Sequence, residues 1–187
     1  MKEGKLIVVS GPSGVGKDTI VNKYLEKHSE DELSISMTSR PIRDGEVNGV
    51  NYYFKTKKEF EEAIKNNEML EFALYNGNYY GTPKAEVEER IKNGINVILV
   101  IEVVGAMNVK NIMGDKCTLI FIMPPSLVVL INRLMNRGTD SKESIEGRLD
   151  IAKKEIGISD KYDFIIINDN LEKAVRDLEN VIKNNIN

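Results

Sequence analysis

The chain has 187 residues, 41% hydrophobic and 29% charged, with a net charge of −3 at neutral pH. That length supports one domain with a sizeable core, and the composition excludes disordered, collagenous and disulfide-stapled classes. A charge of −3 gives no global attraction for nucleic acid or an anionic membrane, so neither is an expected partner, and any bound anion must be held by a local basic cluster.

Lys5 to Val9 is a compact apolar run ending at glycines, the pattern of a strand buried on both faces. It is too short for a signal-peptide core or a bilayer span, and no later segment is long and apolar enough, so the chain is expected in the cytoplasm. GPSGVGKDT (11–19) follows, and Asp18 to Lys27 reads as a helix. His28, the one histidine, sits near that helix's end, where a cation suits the helix dipole better than catalysis. Leu33 to Met37 alternates as a short strand. A capping box at Thr56 and Glu59 starts a helix. Asn76-Gly77 is a favoured two-residue turn between LEFALY and NYYG. VILVIE (97–102), CTLIFIM (117–123) and FIII (164–167) read as buried strands, and Leu171 to Ile182 as a closing helix. Cys117, the one cysteine, lies in an apolar run and reads as an inert core thiol.

Strands alternating with helices predict an α/β fold, a parallel sheet flanked by helices on both sides, and the glycine loop at 11–19 points to the P-loop NTPase type. Two regions break the rhythm. Residues 35–83 predict a small mixed α+β insertion. Residues 126–156, opened by Pro124-Pro125 and rich in Arg and Lys, predict a helical lid with Gly138 as a pivot. The core is then 1–34, 84–125 and 157–187.

The stretch after the first strand is a phosphate-binding loop in all but one place. Gly11, Gly16 and Lys17 match G-x-x-x-x-G-K, but Asp18 stands where Ser or Thr is expected. Strand, glycine loop and helix in that order turn backbone N–H groups and a helix N-terminus toward phosphates. Gly11, Ser13, Gly14, Val15, Gly16, Lys17, Asp18 and Thr19 are the candidate ATP-binding residues, with Lys17 reaching the terminal phosphates. Asp18 has three readings: a helix-starting residue, a metal ligand in place of the hydroxyl, or a mark of lost function. A carboxylate beside phosphates is repulsive unless a cation lies between them, which argues for metal.

A second anion site lies in SRPIRDGEVNGVNYYF (39–54). Arg40 and Arg43, stiffened by Pro41, suit a forked grip on one phosphate, with the Tyr52 and Tyr80 hydroxyls beside it.

SGPSGVGK (10–17), SRPIRDGEVNGVNYYF (39–54), EFALYNGNYYGTP (71–83), RLMNRGTDSKESIEGRL (133–149) and YDFIIINDN (162–170) together resemble the guanylate kinases, enzymes that phosphorylate GMP with ATP, and the likeness runs over essentially the whole chain. The resemblance implies a Mg²⁺-dependent phosphotransferase acting on small-molecule nucleotides. It implies that Arg40, Arg43, Tyr52 and Tyr80 bind the GMP phosphate, that Ser36, Glu71 and Thr82 face guanine, and that Glu46 supports the arginine loop. Glu102 is grouped with the GMP-binding residues. Arg133, Arg137 and Arg148 match lid and core arginines on the ATP phosphates, and with Lys17 and Arg40 they form the catalytic set. Asn168 matches a residue near adenine. The chemistry agrees: guanine presents two adjacent donors that a carboxylate such as Glu71 can accept, and an O6 acceptor that Ser36 or Thr82 can meet.

The chain departs from the family twice near the metal. Besides Asp18, Val100 and Glu102 stand where the family usually has D-x-D. The expectation is that Asp18 and Glu102 together balance Mg²⁺. Asp18 also fits the ribose 1,5-bisphosphate kinases, and a non-catalytic guanylate-kinase-like interaction module is a third reading. Glu71 and the intact arginine segment favour GMP over the former, and Lys17 with the lid arginines argues against the latter.

Overall fold

The computed structural model describes residues 3–75, 77–135 and 142–186. Its main sheet contains β1 (Leu6–Ser10), β2 (Glu32–Leu33), β7 (Val97–Val100), β8 (Cys117–Met123) and β9 (Phe164–Ile167), in the order β2-β7-β1-β8-β9. Every pairing in it is parallel, with Val8 opposite Leu99 on one side and Leu119 on the other. A parallel sheet needs crossover connections, and helices provide them on both faces. Residues of β1 therefore alternate between two cores. Ile7 and Val9 pack with Ile20, Val21, Leu130, Val175 and Leu178, from α1 (Lys17–Leu25), α5 (Leu127–Met135) and α7 (Leu171–Val181). Leu6 and Val8 pack with Val87, Val103, Ala106 and Val109, from α3 (Lys84–Lys92) and α4 (Val103–Met113).

A second sheet has the order β4-β3-β6-β5, from β3 (Met37–Thr38), β4 (Tyr53–Phe54), β5 (Met69–Tyr75) and β6 (Asn78–Pro83). The β5–β6 hairpin pairs Tyr75 with Asn78, leaving the expected two-residue turn, of which Gly77 adopts φ 77°. On this sheet lies α2 (Lys57–Lys65), whose Phe60 and Ala63 bury against Met69. Its N-terminus carries the predicted capping box: Thr56 Oγ1 accepts from the Glu59 N–H while the Glu59 carboxylate accepts from the Thr56 N–H. Leu70, at the start of β5, belongs instead to the main core beside Val103 and Ala106.

Three predicted elements differ. The strand expected over Leu33–Met37 is two strands in two sheets. The Ser34 N–H still bonds to Ile98 in the main sheet, while the Ser36 carbonyl already accepts from Tyr53 in the small one, so the chain changes sheets within three residues. VILVIE ends its pairing early: the Ile101 N–H bonds to Val9, and Glu102 then becomes the extended N-cap of α4. The first helix spans Lys17–Leu25, and His28 lies past it in a turn, stacked on Tyr24 at 4.4 Å and bracketed by Glu30 and Glu179. Cys117 is buried, as expected. In the lid region the described helices are α5 and α6 (Lys142–Ile156). Arg137 and Gly138 lie outside the described residues.

Candidate active site

The glycine loop leaves the C-terminal end of β1 and enters α1. Gly11 sits hard against β8: a Cβ there would lie 2.4 Å from the Ile122 carbonyl oxygen. Gly16, the N-cap of α1, has φ 97°, a left-handed conformation that glycine adopts without penalty. Lys17 is only 7% exposed, and its Nζ donates to the Gly11 carbonyl at 2.6 Å and the Pro12 carbonyl at 3.2 Å. Val15 contributes backbone rather than side chain. Its side chain is core, and its carbonyl accepts from Asn168 Nδ2 at 2.7 Å and Arg133 Nη1 at 3.3 Å. Arg133 Nη2 also donates to the Asn168 carbonyl at 2.9 Å. Arg148 Nη1 reaches the Ser13 hydroxyl at 3.4 Å. Arg133, Arg148 and Asn168 thus meet at one loop although they are far apart in sequence. Here Asn168 is 6% exposed and braces the loop backbone, which the adenine expectation did not include. Asp18 and Thr19 lie exposed on the first turn of α1.

The arginine loop expected to hold the second anion stands on the small sheet. Glu46 holds the arginine loop in a fork: Arg40 Nη1 donates to its Oε2 at 2.9 Å, Arg40 Nη2 to its Oε1 at 2.7 Å, and the Arg43 N–H to Oε2 at 2.8 Å. The Arg40 hydrogen bonds and charge hold the Glu46 carboxyl below the ordinary range, and Glu46 in turn raises the Arg40 pKa. The Arg40 guanidinium lies over the Tyr52 and Phe54 rings, 5.5 Å from each centroid. Arg43 is exposed, with no hydrogen bond from its guanidinium and no ion pair among the described residues. Tyr52 and Tyr80 meet edge to face at 6.1 Å.

Beside this corner, a cavity of about 320 Å³ is lined by Ser36, Tyr52, Glu71, Tyr80, Glu102 and Gly105. Glu71 is the half-buried acid of that wall. Its Oε1 accepts from Thr82 Oγ1 at 2.8 Å, and its Oε2 lies where a Cβ on Gly105 would approach to 3.0 Å. Burial raises the Glu71 pKa, and the Thr82 bonds only partly oppose it. Thr82 itself has no exposed surface. Its hydroxyl proton is committed to Glu71, so it orients the carboxylate rather than offering a donor to the cavity. Ser36 is the partly exposed hydroxyl that lines it.

A larger cleft of about 770 Å³ joins the two halves. Ser13, Glu102, Arg148 and Glu155 line it from the main sheet's side, and Leu74, Tyr75 and Tyr80 from the small sheet. Tyr80 and Glu102 line both hollows. Glu155 was missed in the sequence. A lysine and glutamate-rich helix reads as a solvated face, yet Arg148, Ile151 and Glu155 fall at i, i+3 and i+7, one face of α6. A separate hollow of about 400 Å³, near Lys5, Lys92 and Lys116, lies at the opposite end of the sheet from the glycine loop. Lys92 closes the last turn of α3 and Lys116 follows α4, positions where cations offset helix C-termini, so this hollow is no part of the site.

Oxygen donors of the kind a hard divalent cation takes are at hand: the Ser13 hydroxyl and the Glu102 carboxylate line the cleft, and Asp18 and Thr19 lie exposed on the first turn of α1. No three His, Cys, Asp or Glu side chains converge as a metal group among the described residues. One or two carboxylates are the usual protein share when nucleotide phosphates complete a Mg²⁺ shell, so the donor set fits. Glu102 shares the cleft with Glu155, whose pKa its charge helps to raise.

Fold and site together define a P-loop protein with a glycine loop on the main sheet, an arginine corner on the small sheet and a cavity of about 320 Å³ beside that corner. A family model for guanylate kinase matches residues 3–185. The chain is 48% identical over 182 residues to the guanylate kinase of Lactococcus lactis subsp. lactis, covering 97% of this chain and 88% of the relative. It is 46% identical over 176 residues to that of Synechococcus sp. (strain JA-3-3Ab), covering 94% and 81%. A crystal structure of guanylate kinase from Anaplasma phagocytophilum superposes with a TM-score of 0.77 at 33% identity, covering 99% of this chain and 87% of that one. The chain belongs to the guanylate kinase family.

Proposed function

We infer that the chain transfers the γ-phosphoryl group of ATP to GMP, giving ADP and GDP. The observation that carries this is the continuity of the two hollows: Tyr80 and Glu102 line both the cavity beside Glu71 and the cleft that reaches Ser13 of the phosphate loop. A monophosphate held at Arg40, Arg43 and the two tyrosines would face a triphosphate held on the loop. Family membership disfavours both the ribose 1,5-bisphosphate and the interaction-module readings.

The reaction needs no covalent enzyme intermediate. A GMP phosphate oxygen attacks the γ-phosphorus, and the bond to the β–γ bridging oxygen breaks as ADP leaves. The protein aligns the two groups and offsets the charge that spreads over the transferring phosphoryl. Lys17 and the loop N–H groups serve the ATP phosphates, Arg148 stands beside Ser13, and Arg40 and Arg43 hold the acceptor. Arg133 fixes the loop through Val15 and Asn168. Glu71 accepts the guanine N1–H and N2 amino protons, while Thr82 holds it in place. Mg²⁺, bound with the phosphates near Asp18 and Glu102, would neutralise negative charge on them. Among the described residues no helix is long and apolar enough to cross a membrane, and this reading puts the enzyme in the cytoplasm with its nucleotides.

A coupled ADP-release assay with GMP, dGMP, AMP and ribose 1,5-bisphosphate tests the assignment. Turnover is expected with GMP and not with AMP or the bisphosphate. No turnover on any acceptor, with GMP still bound, would return the chain to the interaction modules. Asp18→Ala tests the metal reading: half-saturation by Mg²⁺ should move to higher concentration by about tenfold, the loss of one charged ligand, with KM for GMP unchanged. Superimposable Mg²⁺ titrations of variant and parent would remove Asp18 from the metal site.

A further inference from the structure

The mechanism leaves Glu155 without a task, although α6 aims it into the cleft that holds Ser13, Glu102 and Arg148. Glu155 is half-buried. Burial raises its pKa, Glu102 pushes the same way, and Lys17 opposes both. Within reach of its charge is the Tyr162 hydroxyl, buried like Ser10 Oγ at the end of β1, and among the described residues neither hydroxyl has a hydrogen-bond partner. The Ser10 hydroxyl lies near the Tyr162 hydroxyl, outside strict hydrogen-bond geometry. Burial raises the Tyr162 pKa, the charges of Glu155 and Glu102 add to that, and Ser10 opposes it.

Lys17 explains why an acid belongs there. Its ammonium carries three donors, and its hydrogen-bond partners among the described residues are two carbonyls of its own loop. A buried cation held only by dipoles is costly, and a facing carboxylate lowers that cost. Asp18 is its sequence neighbour but lies exposed on α1; Glu155 lines the cleft that Ser13 of the same loop reaches, and the Lys17 charge favours its ionised form. When triphosphate arrives, Lys17 turns to it. The two carboxylates on α4 and α6 then face phosphate oxygens of the same sign.

We propose that Glu155 is a positioning residue that makes ATP binding conditional on a divalent cation: it balances Lys17 in the nucleotide-free protein and, with Glu102, forms a negative wall that repels metal-free ATP. The proposal rests on the cleft being the ATP site. A wall of this kind discriminates against free ATP, which lacks the cation needed for transfer, before the acceptor is committed.

Calorimetric titration with a non-hydrolysable ATP analogue, in EDTA and in Mg²⁺, reads this without turnover. In EDTA, Glu155→Gln should bind the analogue about fivefold tighter than the parent, because one like charge has been removed from a half-buried site. Its gain in affinity on adding Mg²⁺ should shrink by a similar factor, while Glu155→Asp should keep the parent's pattern. If Glu155→Gln melts before it can be titrated, Glu155→Ser carries the same comparison. Weaker binding by equal factors in both buffers, or no change in either, would mean that Glu155 only packs α6, and would overturn the proposal alone. A parent that binds no analogue in either buffer would overturn the ATP-site reading and the proposal with it.

Discussion

Replacing Lys17 by methionine is expected to lower kcat by about a thousandfold or more, with KM for GMP changing by less than about threefold. A preorganised cation or donor aimed at developing charge is worth about 10²–10³-fold in rate, and phosphoryl transfer relies almost wholly on such groups. Methionine keeps much of the length and apolar stem, so the loss reports charge. It also leaves the Gly11 and Pro12 carbonyls without the donor they now share. An unsatisfied buried acceptor costs about 1–3 kcal/mol, so a thermal melt must accompany the kinetics. The GMP corner shares no hydrogen bond with Lys17, which is why acceptor affinity should survive. Steady-state rates at saturating ATP and varied GMP, with a melt of the same preparation, check both halves. A variant within tenfold of the parent's kcat would remove Lys17 from the transition state.

Glu71→Gln should lower kcat/KM for GMP by about ten- to a hundredfold and narrow the gap between GMP and AMP. In the proposed pose the carboxylate would present acceptors to both guanine donors while Oε1 keeps its bond from Thr82. A carboxamide sets an NH₂ group against one of those donors, a mismatch of about 1–3 kcal/mol. Adenine, which presents a lone pair at N1, is penalised less by that NH₂ group. The same residue fixes a pH limb. Guanine needs Glu71 ionised, and burial raises its pKa, so protonation begins at higher pH than for an exposed glutamate. KM for GMP should therefore rise as pH falls toward that value. The limb should vanish in the glutamine variant, which has no proton to take up there. Profiles of kcat/KM for GMP against pH in parent and variant test this, and a limb that persists in Glu71→Gln would assign it to another group.

Much of this protein can be read from neighbouring residues. The buried run before Gly11, the loop, the Thr56–Glu59 cap and the β5–β6 turn are local patterns, and each forms where its residues predict it. What the sequence conceals is tertiary. Residues 33–37 are extended throughout, and nothing local says that Ser34 bonds to one sheet and Ser36 to another. Thr82 and Ser36 are both hydroxyls beside a glycine-rich hairpin or loop. Only the register that sets Thr82 opposite Glu71 turns one of them into a brace. Asn168 and Arg133 lie far from the glycine loop in sequence, so their convergence on the Val15 carbonyl depends on the parallel order of β1, β8 and β9. Glu155 sits among lysines and acids of an amphipathic helix, and only the cleft on its inner side distinguishes it from its solvated neighbours.

Leu70 fastens one corner of the small sheet into the main core against α4, and Glu71 is the next residue along. The sheet therefore resembles a door hung on that corner. Were the sheet to swing about that corner, residues beside the fixing would travel less than Arg40 and Glu46, which lie on the loop between β3 and β4. On the proposed assignment, purine selection would then belong to the jamb and phosphate capture to the latch. Changes that loosen the swing should blunt the grip on phosphate while leaving the choice of base intact.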